Sequence, residues 1–492
     1  MRILLLNPPA EYTAREYVDP ENPKDCGLLE TADFGLFPPL GLLYIMASLK
    51  VKVPEHELFF LDCIAEKVGH AKLAEVVAEF KPDLVGLTSY TISMYDVCLA
   101  ARTIRAIHPQ VHLCLGGHHP IAFPFESASL PEFDSIIVGE GEEAFPALVA
   151  ALAASADYTG IRGVYTRESI RLYAGELLAD DRFLTRQMPP PAYVEDLDAL
   201  PPPDRSVIRH LSYRSIVGAS DRLATMVSSR GCPCSCTFCD VPYKRYRQRS
   251  IAALADEVGS CLEMGYEEIH FYDDLFNITP ERVIAFSDEV IRRGYRFTWD
   301  FRGRVNSVTL ESLRRAKAAG CRMISFGVET GSDEGLRQLK KNCTTAQVKR
   351  AFIWCRSLGI LTIADFMIGL PFEKDAAAVR RNIDFLLAID PDYAQISILS
   401  LFPNTELFAE AASRGIINPH RWKEFAARPE PGFHLDHWEE FMPISELLQL
   451  QKESYRRFYL RPRYVWRSLF ATTTRHELSA KLKGALKLVW GS

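Results

Sequence analysis

Short apolar runs alternate with amphipathic stretches along the first third of the chain. The runs predict strands, and the stretches, in which apolar residues recur at helical spacing, predict helices. In chain order they are Arg2 to Asn7 followed by Gly41 to Lys50, Glu57 to Asp62 by Ala71 to Phe80, Leu84 to Tyr90 by Tyr95 to Ile107, and the runs His112 to Leu115 and Ser135 to Val138 before a helix from Glu142 to Ala154. Because parallel strands need helical crossovers that cover both faces, residues 1–156 are predicted to form a doubly wound, Rossmann-like α/β domain.

The alternation breaks down between residues 157 and 210. Two short runs, 163–167 and 169–173, predict a small hairpin, and two groups of three prolines follow at 189–191 and 201–203. Proline fixes φ and removes a backbone donor. The stretch is therefore predicted to be a linker that crosses a surface.

A second alternating region, predicted over residues 211–406, contains six further strand patterns separated by helical ones. The strands are Ala224 to Ser229, Glu268 to Asp273, Phe297 to Gly303, Arg322 to Gly327, Leu361 to Ile368 and Ala394 to Ser400. Thr279 with Pro280 marks one helix start, and Thr344 with Gln347 forms a capping box at another. Six successive β/α units predict a partial (β/α)6 barrel, followed by a helical C-terminal extension over residues 407–492.

The composition is that of a globular protein with several domains, since 48% of its 492 residues are hydrophobic and 24% are charged. The net charge of −6 gives no overall case for nucleic-acid binding. Charge is uneven, because residues 451–492 contain ten Lys or Arg and only two Glu. With aromatic residues between its arginines, this basic segment predicts either peripheral contact with an anionic membrane surface or a helical cap with a solvated basic face.

The cysteines and the start of the chain bear on its location. Twelve cysteines are scattered without a regular framework, which predicts a reducing, cytoplasmic compartment. The apolar start, Met1 to Asn7, is too short for the core of a signal peptide, and no uninterrupted apolar run is long enough to cross a bilayer.

Three of these cysteines, Cys232, Cys236 and Cys239, stand in a C-x3-C-x2-C spacing directly after an apolar run. Three thiolates on one short loop can hold an iron-sulfur cube and leave its fourth iron open to a small molecule. The loop follows a predicted parallel strand, at the edge where ligands bind in α/β folds. A zinc knuckle, or thiols that are merely buried together, is the alternative.

With Phe238 just before its last cysteine, this motif resembles the signature of the radical S-adenosylmethionine (SAM) superfamily. The resemblance implies a 4Fe-4S cluster on the three cysteines, with the amino and carboxylate groups of SAM on the open iron. It also implies that Cys234 is a bystander, because the signature has no cysteine at that spacing.

Polar and glycine-rich residues follow the predicted barrel strands, where a parallel barrel carries its reactive groups. These ends resemble those of radical SAM barrels, which implies that they contact SAM. The residues so implied are Phe238, Asp273, Asp274, Arg304, Glu329, Ile368 and Ser400. The alternatives are a buried ion pair for Glu329 and turn capping for the two aspartates.

A doubly wound domain before such a barrel resembles the cobalamin-binding domain of the cobalamin-dependent branch of the superfamily. The resemblance implies corrinoid contacts near three strand ends, from Ser89, Tyr90, Thr91, Gly116, Gly117, His118, Gly139 and Glu140. Glycine lets the backbone approach a large flat ring, and hydroxyl groups can bond to a nucleotide tail. Asp62 is not followed by the D-x-H-x-x-G pattern that supplies a cobalt ligand, so no lower protein ligand is predicted. The alternative is a domain of this fold that binds no corrinoid.

The chain as a whole resembles a cobalamin-dependent radical SAM enzyme. Residues 455–464 resemble the helical extension of such proteins that are related to the anaerobic Mg-protoporphyrin monomethyl ester cyclase. The resemblance implies an enzyme that cleaves SAM to a 5'-deoxyadenosyl radical, with electrons from a reductant such as flavodoxin or ferredoxin. It implies methylation of an unactivated carbon of a small-molecule or lipid-like substrate through methylcobalamin, and Arg302, Arg304 and Lys341 are candidates for binding an anionic group. Ring formation or oxidative rearrangement with the same cofactors is the first alternative, and a non-catalytic iron-sulfur or corrinoid carrier is the remote one.

Overall fold

The structure, a computed structural model, describes residues 1–15, 18, 35–174 and 189–471. The described residues fall into two compact units. The first lies within Met1–Arg15, Pro38–Ser212 and Asn418–His434, and the second within Glu16–Phe37, Tyr213–Ile417 and Leu435–Ser492. The proline-containing stretch after residue 157 and a short segment near residue 425 therefore belong to the first unit. None of the described helices is both long and apolar enough to cross a membrane.

The helices and strands follow one another in a regular order. Up to residue 174 they are β1 (Arg2–Asn7), β2 (Gly35–Leu36), α1 (Leu40–Lys52), β3 (Glu57–Asp62), α2 (His70–Phe80), β4 (Leu84–Ser89), α3 (Met94–Ile107), β5 (His112–Gly117), α4 (His118–Ala122), α5 (Pro124–Ser129), β6 (Ser135–Ile137), α6 (Gly141–Ala153), β7 (Val164–Tyr165) and α7 (Arg171–Ala174). From residue 189 onward they are β8 (Arg214–Ser215), β9 (Leu223–Met226), β10 (Ser229–Arg230), β11 (Arg247–Gln248), α8 (Ile251–Glu263), β12 (Glu268–Phe271), α9 (Pro280–Arg292), β13 (Thr298–Gly303), α10 (Leu310–Ala318), β14 (Cys321–Glu329), α11 (Asp333–Gln338), α12 (Thr345–Leu358), β15 (Leu361–Ile368), α13 (Ala376–Ile389), β16 (Tyr393–Ile398), α14 (Glu406–Ser413), α15 (Arg421–Ala427), α16 (Ile444–Tyr459) and α17 (Pro462–Ala471).

The first unit is built on one sheet with the strand order β3-β1-β4-β5-β6-β7. Its first five strands are parallel, and β7 pairs antiparallel with β6. Helix α1 packs with α6, and α2 packs with α3. Strand order reverses between β1 and β4, which opens a crevice at the carboxyl ends of these strands, the usual ligand position in doubly wound folds.

The second unit is built on six parallel strands in the order β9-β12-β13-β14-β15-β16, so each strand lies beside its successor. Right-handed crossovers then place the intervening helices on one face of the sheet. Alternate strand residues such as Trp299, Phe301, Phe326 and Phe366 join the apolar core with the helices. The residues between them face the other way, and this helix-free side is called the inner face below.

One edge of this sheet, strand β16, is covered by side chains of helix α16. The backbone N–H and C=O of Ala394 both bond to the hydroxyl of Tyr459, at 3.1 and 3.0 Å. The N–H of Ile396 donates to the Tyr455 hydroxyl at 3.0 Å, and its C=O accepts from Gln451 Nε2 at 2.9 Å. Unpaired edge groups are a template for aggregation, so these three side chains close the edge.

The arginines of the same segment are partly paired within the second unit. Arg457 lies 2.6 Å from Asp384, and Arg461 lies 3.2 Å from Asp390. The described part of the basic segment thus has the contacts of a helical cap. The rest of the basic segment, residues 472–492, lies outside the described residues.

The predicted fold class is confirmed: a Rossmann-like parallel sheet precedes a six-stranded parallel barrel sheet and a helical extension. The capping box of Thr344 with Gln347 and the helix start at Thr279 and Pro280 are also confirmed. The predicted hairpin is wrong, since residues 164–165 pair with β6 and the following run turns into α7.

Candidate active site

The three-cysteine loop leaves the barrel sheet at the carboxyl end of β9. A short antiparallel pair, β10 with β11, fixes its base, and the N–H of Cys232 donates to the C=O of Tyr243 at 3.0 Å. Gly231 has a φ of +80°, and a Cβ there would come within 2.5 Å of the carbonyl oxygen of Arg245. Only glycine fits this approach without strain. The loop therefore begins from a tightly held turn.

The thiols of Cys232, Cys236 and Cys239 are partly exposed, and cationic side chains surround them. Arg304 Nη1 lies 3.6 Å from Cys236 Sγ. The hydrogen bond between Cys232 and Cys234 lowers the pKa of Cys234 and raises that of Cys232, so one thiolate is favoured in this pair. The charges of Arg304 and Lys341 also lower the pKa of Cys234. Thiolates are the ligands of iron-sulfur clusters, so this cationic setting fits a cluster with three cysteine ligands.

Among the described residues, no three His, Cys, Asp or Glu side chains are grouped as the ligands of a single metal ion would be. The thiolates of a cube bind separate irons. The assignment of Cys232, Cys236 and Cys239 as cluster ligands, with Cys234 as a bystander, therefore stays a prediction.

Glu329, at the end of β14, forms a buried ion pair. Its carboxylate accepts from Lys341 Nζ at 2.8 Å, and both side chains are at least 90% buried. Burial acts to lower the pKa of Lys341, but the charges of Glu329 and Cys236, together with the hydrogen bond to Glu329, raise it overall. Glu329 also has a φ of +68°, an uncommon conformation for a side chain of this size. The ion-pair alternative for Glu329 is therefore realised, and contact with SAM stays a prediction.

Asp273 fastens the end of β12 to the segment that leads into the cysteine loop. Its carboxylate accepts from the backbone N–H of Ser228 at 2.7 Å and from the hydroxyl of Ser229 at 2.6 Å. The side chain is 2% exposed, whereas the neighbouring Asp274 is exposed. Asp273 is thus a positioning residue for the loop, and Asp274 is the better placed of the two to meet a ligand.

The remaining residues expected to contact SAM differ in their surroundings. Arg304 faces the cysteine loop, and Lys341 Nζ lies 5.8 Å from the centre of the Phe238 ring. The side chain of Ile368 lies in the core beneath the helices, so only its backbone is available to a ligand. Ser400 is partly exposed and forms an isolated bridge with His437.

Glu373, just after the carboxyl end of β15, is a buried carboxyl that sequence reasoning missed. It accepts from the N–H of Leu370 at 3.1 Å and from Asn382 Nδ2 at 3.0 Å. Local sequence offers no sign of this, because Asn382 reaches it from helix α13.

We expect Glu373 to make folded stability depend on pH. Burial raises the pKa of this carboxyl from 4.5 to about 7, against the opposing hydrogen bonds. A folded-state pKa above the unfolded value means that stability falls as pH rises from about 4.5 to about 7, by at most about 3 kcal/mol. Urea unfolding across this pH window should show the fall in the parent chain and a flatter profile in Glu373→Gln. Equal slopes would contradict the assignment.

In the first unit, several of the residues expected to contact cobalamin meet at the carboxyl ends of β4 and β5. The hydroxyl of Ser89 donates to the C=O of Gly116 at 2.7 Å. Thr91 Oγ1 lies 3.1 Å from Nδ1 of the fully buried His119. Tyr90 is 64% exposed, and its ring stacks on His118 with 6.1 Å between centres.

Gly139 and Glu140 are engaged by the chain itself. A Cβ on Gly139 would collide with the backbone of Ala192, and the N–H of Val194 donates to the Glu140 carboxylate at 2.7 Å. Their predicted corrinoid contacts remain untested, whereas their contacts with the 192–194 segment are present in the structure.

The edge formed by Tyr90, Gly116 and His118 fits a large flat cofactor. A Cβ on Gly116 would have a single neighbour within 4 Å, the Leu87 carbonyl oxygen at 3.8 Å. The backbone is therefore approachable from this side, beside exposed rings that can stack. The Asp62 carboxylate accepts hydrogen bonds from Asn7 Nδ2 and from the N–H of Ile64. That cobalt has no lower protein ligand stays a prediction.

Replacing Gly117 by alanine should destabilise the first unit, whereas the same change at Gly116 should not. Gly117 has a φ of +93°, and its Cβ would lie 2.5 Å from the Ser89 nitrogen. A side chain in this conformation costs on the order of 1–3 kcal/mol. Thermal unfolding of both variants is the measurement. Equal melting temperatures would show that the turn adapts.

Comparisons with known proteins agree with this arrangement of sites. The family model of the radical SAM superfamily matches residues 226–381, and that of the B12 binding domain matches residues 32–149. An uncharacterized methyltransferase of Pyrococcus horikoshii is 27% identical over 96% of this chain and 95% of its own length. The anaerobic magnesium-protoporphyrin IX monomethyl ester cyclase of Rubrivivax gelatinosus is 25% identical over 92% of this chain and 79% of its own. The hopanoid C-3 methylase of Methylococcus capsulatus is 26% identical over 77% of this chain and 70% of its own.

Solved structures share the fold. The cobalamin-dependent S-adenosylmethionine radical enzyme OxsB, with aqua-cobalamin and S-adenosylmethionine bound, superposes with a TM-score of 0.69 at 16% identity, over 99% of this chain and 71% of its own. The radical S-adenosylmethionine methyltransferase TsrM from Kitasatospora setae, with cobalamin and a [4Fe-4S] cluster bound, gives 0.63 at 22% identity, over 84% of this chain and 75% of its own.

Proposed function

Because the chain belongs to the radical SAM superfamily and carries a B12-binding domain, we propose that it transfers a methyl group to an unactivated carbon of a small-molecule or lipid-like substrate. It is a cobalamin-dependent radical SAM enzyme, and its cofactors are a 4Fe-4S cluster, SAM and cobalamin. The observation that carries the proposal is the presence, in one chain, of a cation-surrounded three-thiol loop and a glycine-lined sheet edge suited to a corrinoid.

The residues of the second unit have separate tasks in this proposal. Cys232, Cys236 and Cys239 would hold the cluster, and Arg304, whose Nη1 lies 3.6 Å from Cys236 Sγ, would offset negative charge there. When bound, the cluster with SAM supplies a hydrogen-abstracting radical, and cobalamin supplies the methyl group. Asp273 holds Ser228, which comes four residues before Cys232, to the end of β12 and so fixes the start of the loop.

A second candidate function keeps the same cofactors and forms a ring or an oxidised product. It is favoured by the likeness to the anaerobic cyclase, which spans 92% of this chain. The names of the methyltransferase relatives support methyl transfer instead. In either case an external one-electron reductant, such as flavodoxin or ferredoxin, would be the partner, and the cytoplasm is the proposed compartment.

Isotope labelling separates the two candidates. The full chain, reconstituted anaerobically with iron, sulfide and hydroxocobalamin, would be given reductant, SAM with a trideuterated methyl group, and a small-molecule extract. We expect 5'-deoxyadenosine to accumulate and a product to carry the deuterated methyl group. A product without the label would favour the cyclase-like candidate, and the absence of 5'-deoxyadenosine from a fully loaded protein would contradict both.

A further inference from the structure

The inner face of the barrel sheet carries five polar side chains on two successive levels, called the polar row below. Arg302 of β13 is paired in register with Ser325 of β14, and Asp365 of β15 with Gln395 of β16. Tyr272, just after β12, lies beside Arg302. The row crosses five neighbouring strands in the order Tyr272, Arg302, Ser325, Asp365 and Gln395. It steps by two residues between Ser325 and Asp365, because Asp365 is paired in register with Gly327.

The positive group of the row is not neutralised by the described part of the chain. Arg302 is exposed, and its guanidinium carbon lies 5.2 Å above the centre of the Tyr272 ring. Its five N–H donors form no hydrogen bond or ion pair with any described residue. An arginine held flat against an aromatic ring keeps its fork of donors free for a carboxylate or phosphate.

The negative group of the row is nearly free as well. Asp365 is partly exposed, and its Oδ2 accepts one hydrogen bond, from the Ser325 hydroxyl at 2.8 Å. A carboxylate has about four acceptor positions, so most of its capacity remains unused among the described residues. Burial raises the pKa of Asp365 to about 6, while the charge of Arg302 lowers it, so the group is largely ionised at neutral pH.

Arg302 and Asp365 do not neutralise each other, because β14 lies between their strands. Two strand spacings separate their backbones by about 10 Å. Ser325, the residue between them, already donates to Asp365. The row thus offers a donor fork at one end and an acceptor at the other.

Other charged residues on the inner face are satisfied by the protein. His270 forms an ion pair with Asp300, and the Phe37 ring stacks on its imidazole with 5.5 Å between centres. Glu268 accepts from the backbone N–H groups of Ala219 and Ser220 at 2.7 and 2.9 Å. The charged groups closer to the amino ends of the strands are therefore paired within the protein. Arg302 and Asp365 are the charged groups of the polar row that remain available to a ligand.

We infer that the polar row binds a zwitterionic small molecule, with its carboxylate or phosphate on Arg302 and its protonated amine on Asp365. This deepens the proposed function by naming the class of its substrate, and it rests on that function. A neutral or purely anionic substrate that displaces water from Asp365 would leave this carboxylate without a partner, which is unfavourable.

Equilibrium dialysis tests this inference without any turnover. The reconstituted full chain, saturated with SAM, would be dialysed against the small-molecule fraction of a cell extract, and the retained compounds other than SAM would be identified by mass spectrometry. Compounds are classed as zwitterionic when they bind both cation- and anion-exchange resins. The variants are Arg302→Gln and Asp365→Asn, and the matched controls are the exposed Arg314→Gln and Asp221→Asn.

We expect at least one zwitterionic compound to be enriched by the parent chain and by both controls. Its retention should fall about tenfold or more in Arg302→Gln and in Asp365→Asn. Arg302→Lys, which keeps the charge without the donor fork, should retain part of the binding and shows that the fold is intact. No enrichment, enrichment of purely anionic or neutral compounds only, or retention unchanged in both row variants would overturn the inference. Because dialysis requires no SAM cleavage, its outcome is separate from that of the labelling experiment.

Discussion

Replacing Cys236 by alanine should remove the iron-sulfur absorbance of the reconstituted protein and lower SAM cleavage to the level without protein. A cube held by three thiolates has no spare protein ligand, so the loss of one leaves two irons without protein ligands. Cys236 is also the thiol that Arg304 approaches to 3.6 Å. Iron and sulfide content, visible absorbance and 5'-deoxyadenosine formation are the measurements.

Two other cysteines serve as matched controls for this change. Cys234 lies in the same loop, and Cys343 is a partly buried thiol within the electrostatic reach of Cys236. Alanine at either position should leave most of the iron bound. A result in which Cys234→Ala loses the cluster and Cys236→Ala keeps it would refute the ligand assignment, despite the low pKa that the structure gives the Cys234 thiol.

Removing one partner of the Glu329–Lys341 ion pair should cost about 3–5 kcal/mol of folding free energy. Both groups are buried, so the partner left behind would be an uncompensated charge. Glu329→Ala and Lys341→Ala should therefore each lower the midpoint of urea unfolding of the second unit. Because the chain has two units, the transition should be followed through signals from each of them.

The double variant Glu329→Gln with Lys341→Met is the control, because it removes both charges and keeps side-chain volume. It should recover much of the stability that each single variant loses. Single-variant losses below about 1 kcal/mol would indicate that water reaches the pair and that its charges are screened.

The strands and helices of this protein could be predicted to within a few residues because hydrophobic periodicity is a local property. β3 and β15 match the predicted ranges at both ends. The prediction of a hairpin was wrong because side-chain hydrogen bonds form a turn in this stretch. The N–H of Thr166 donates to the Ser169 hydroxyl, and the N–H of Ser169 donates to Thr166 Oγ1, so the side chains close a turn that competes with a strand.

The site was predictable where spacing carries the chemistry, as in the cysteine loop, and not where distant segments meet. Asp273 could be placed at a strand end, but its partner Ser228 comes 45 residues earlier. Asp365 sits in a strand pattern that looks ordinary, and its significance depends on the free guanidinium two strands away. The return of α15 to the first unit, where Phe425 joins the core, is another long-range outcome.

The covered edge of the barrel sheet has a consequence for how such a chain can diversify. Gln451, Tyr455 and Tyr459 are spaced four residues apart, so a single stripe of one helix satisfies the outer backbone groups of β16. The other faces of the helix, and the described residues that follow it up to residue 471, have no part in that task. New binding surfaces could therefore be added beyond residue 460 by insertion or fusion. The edge of the six-stranded sheet would keep its hydrogen bonds to helix α16.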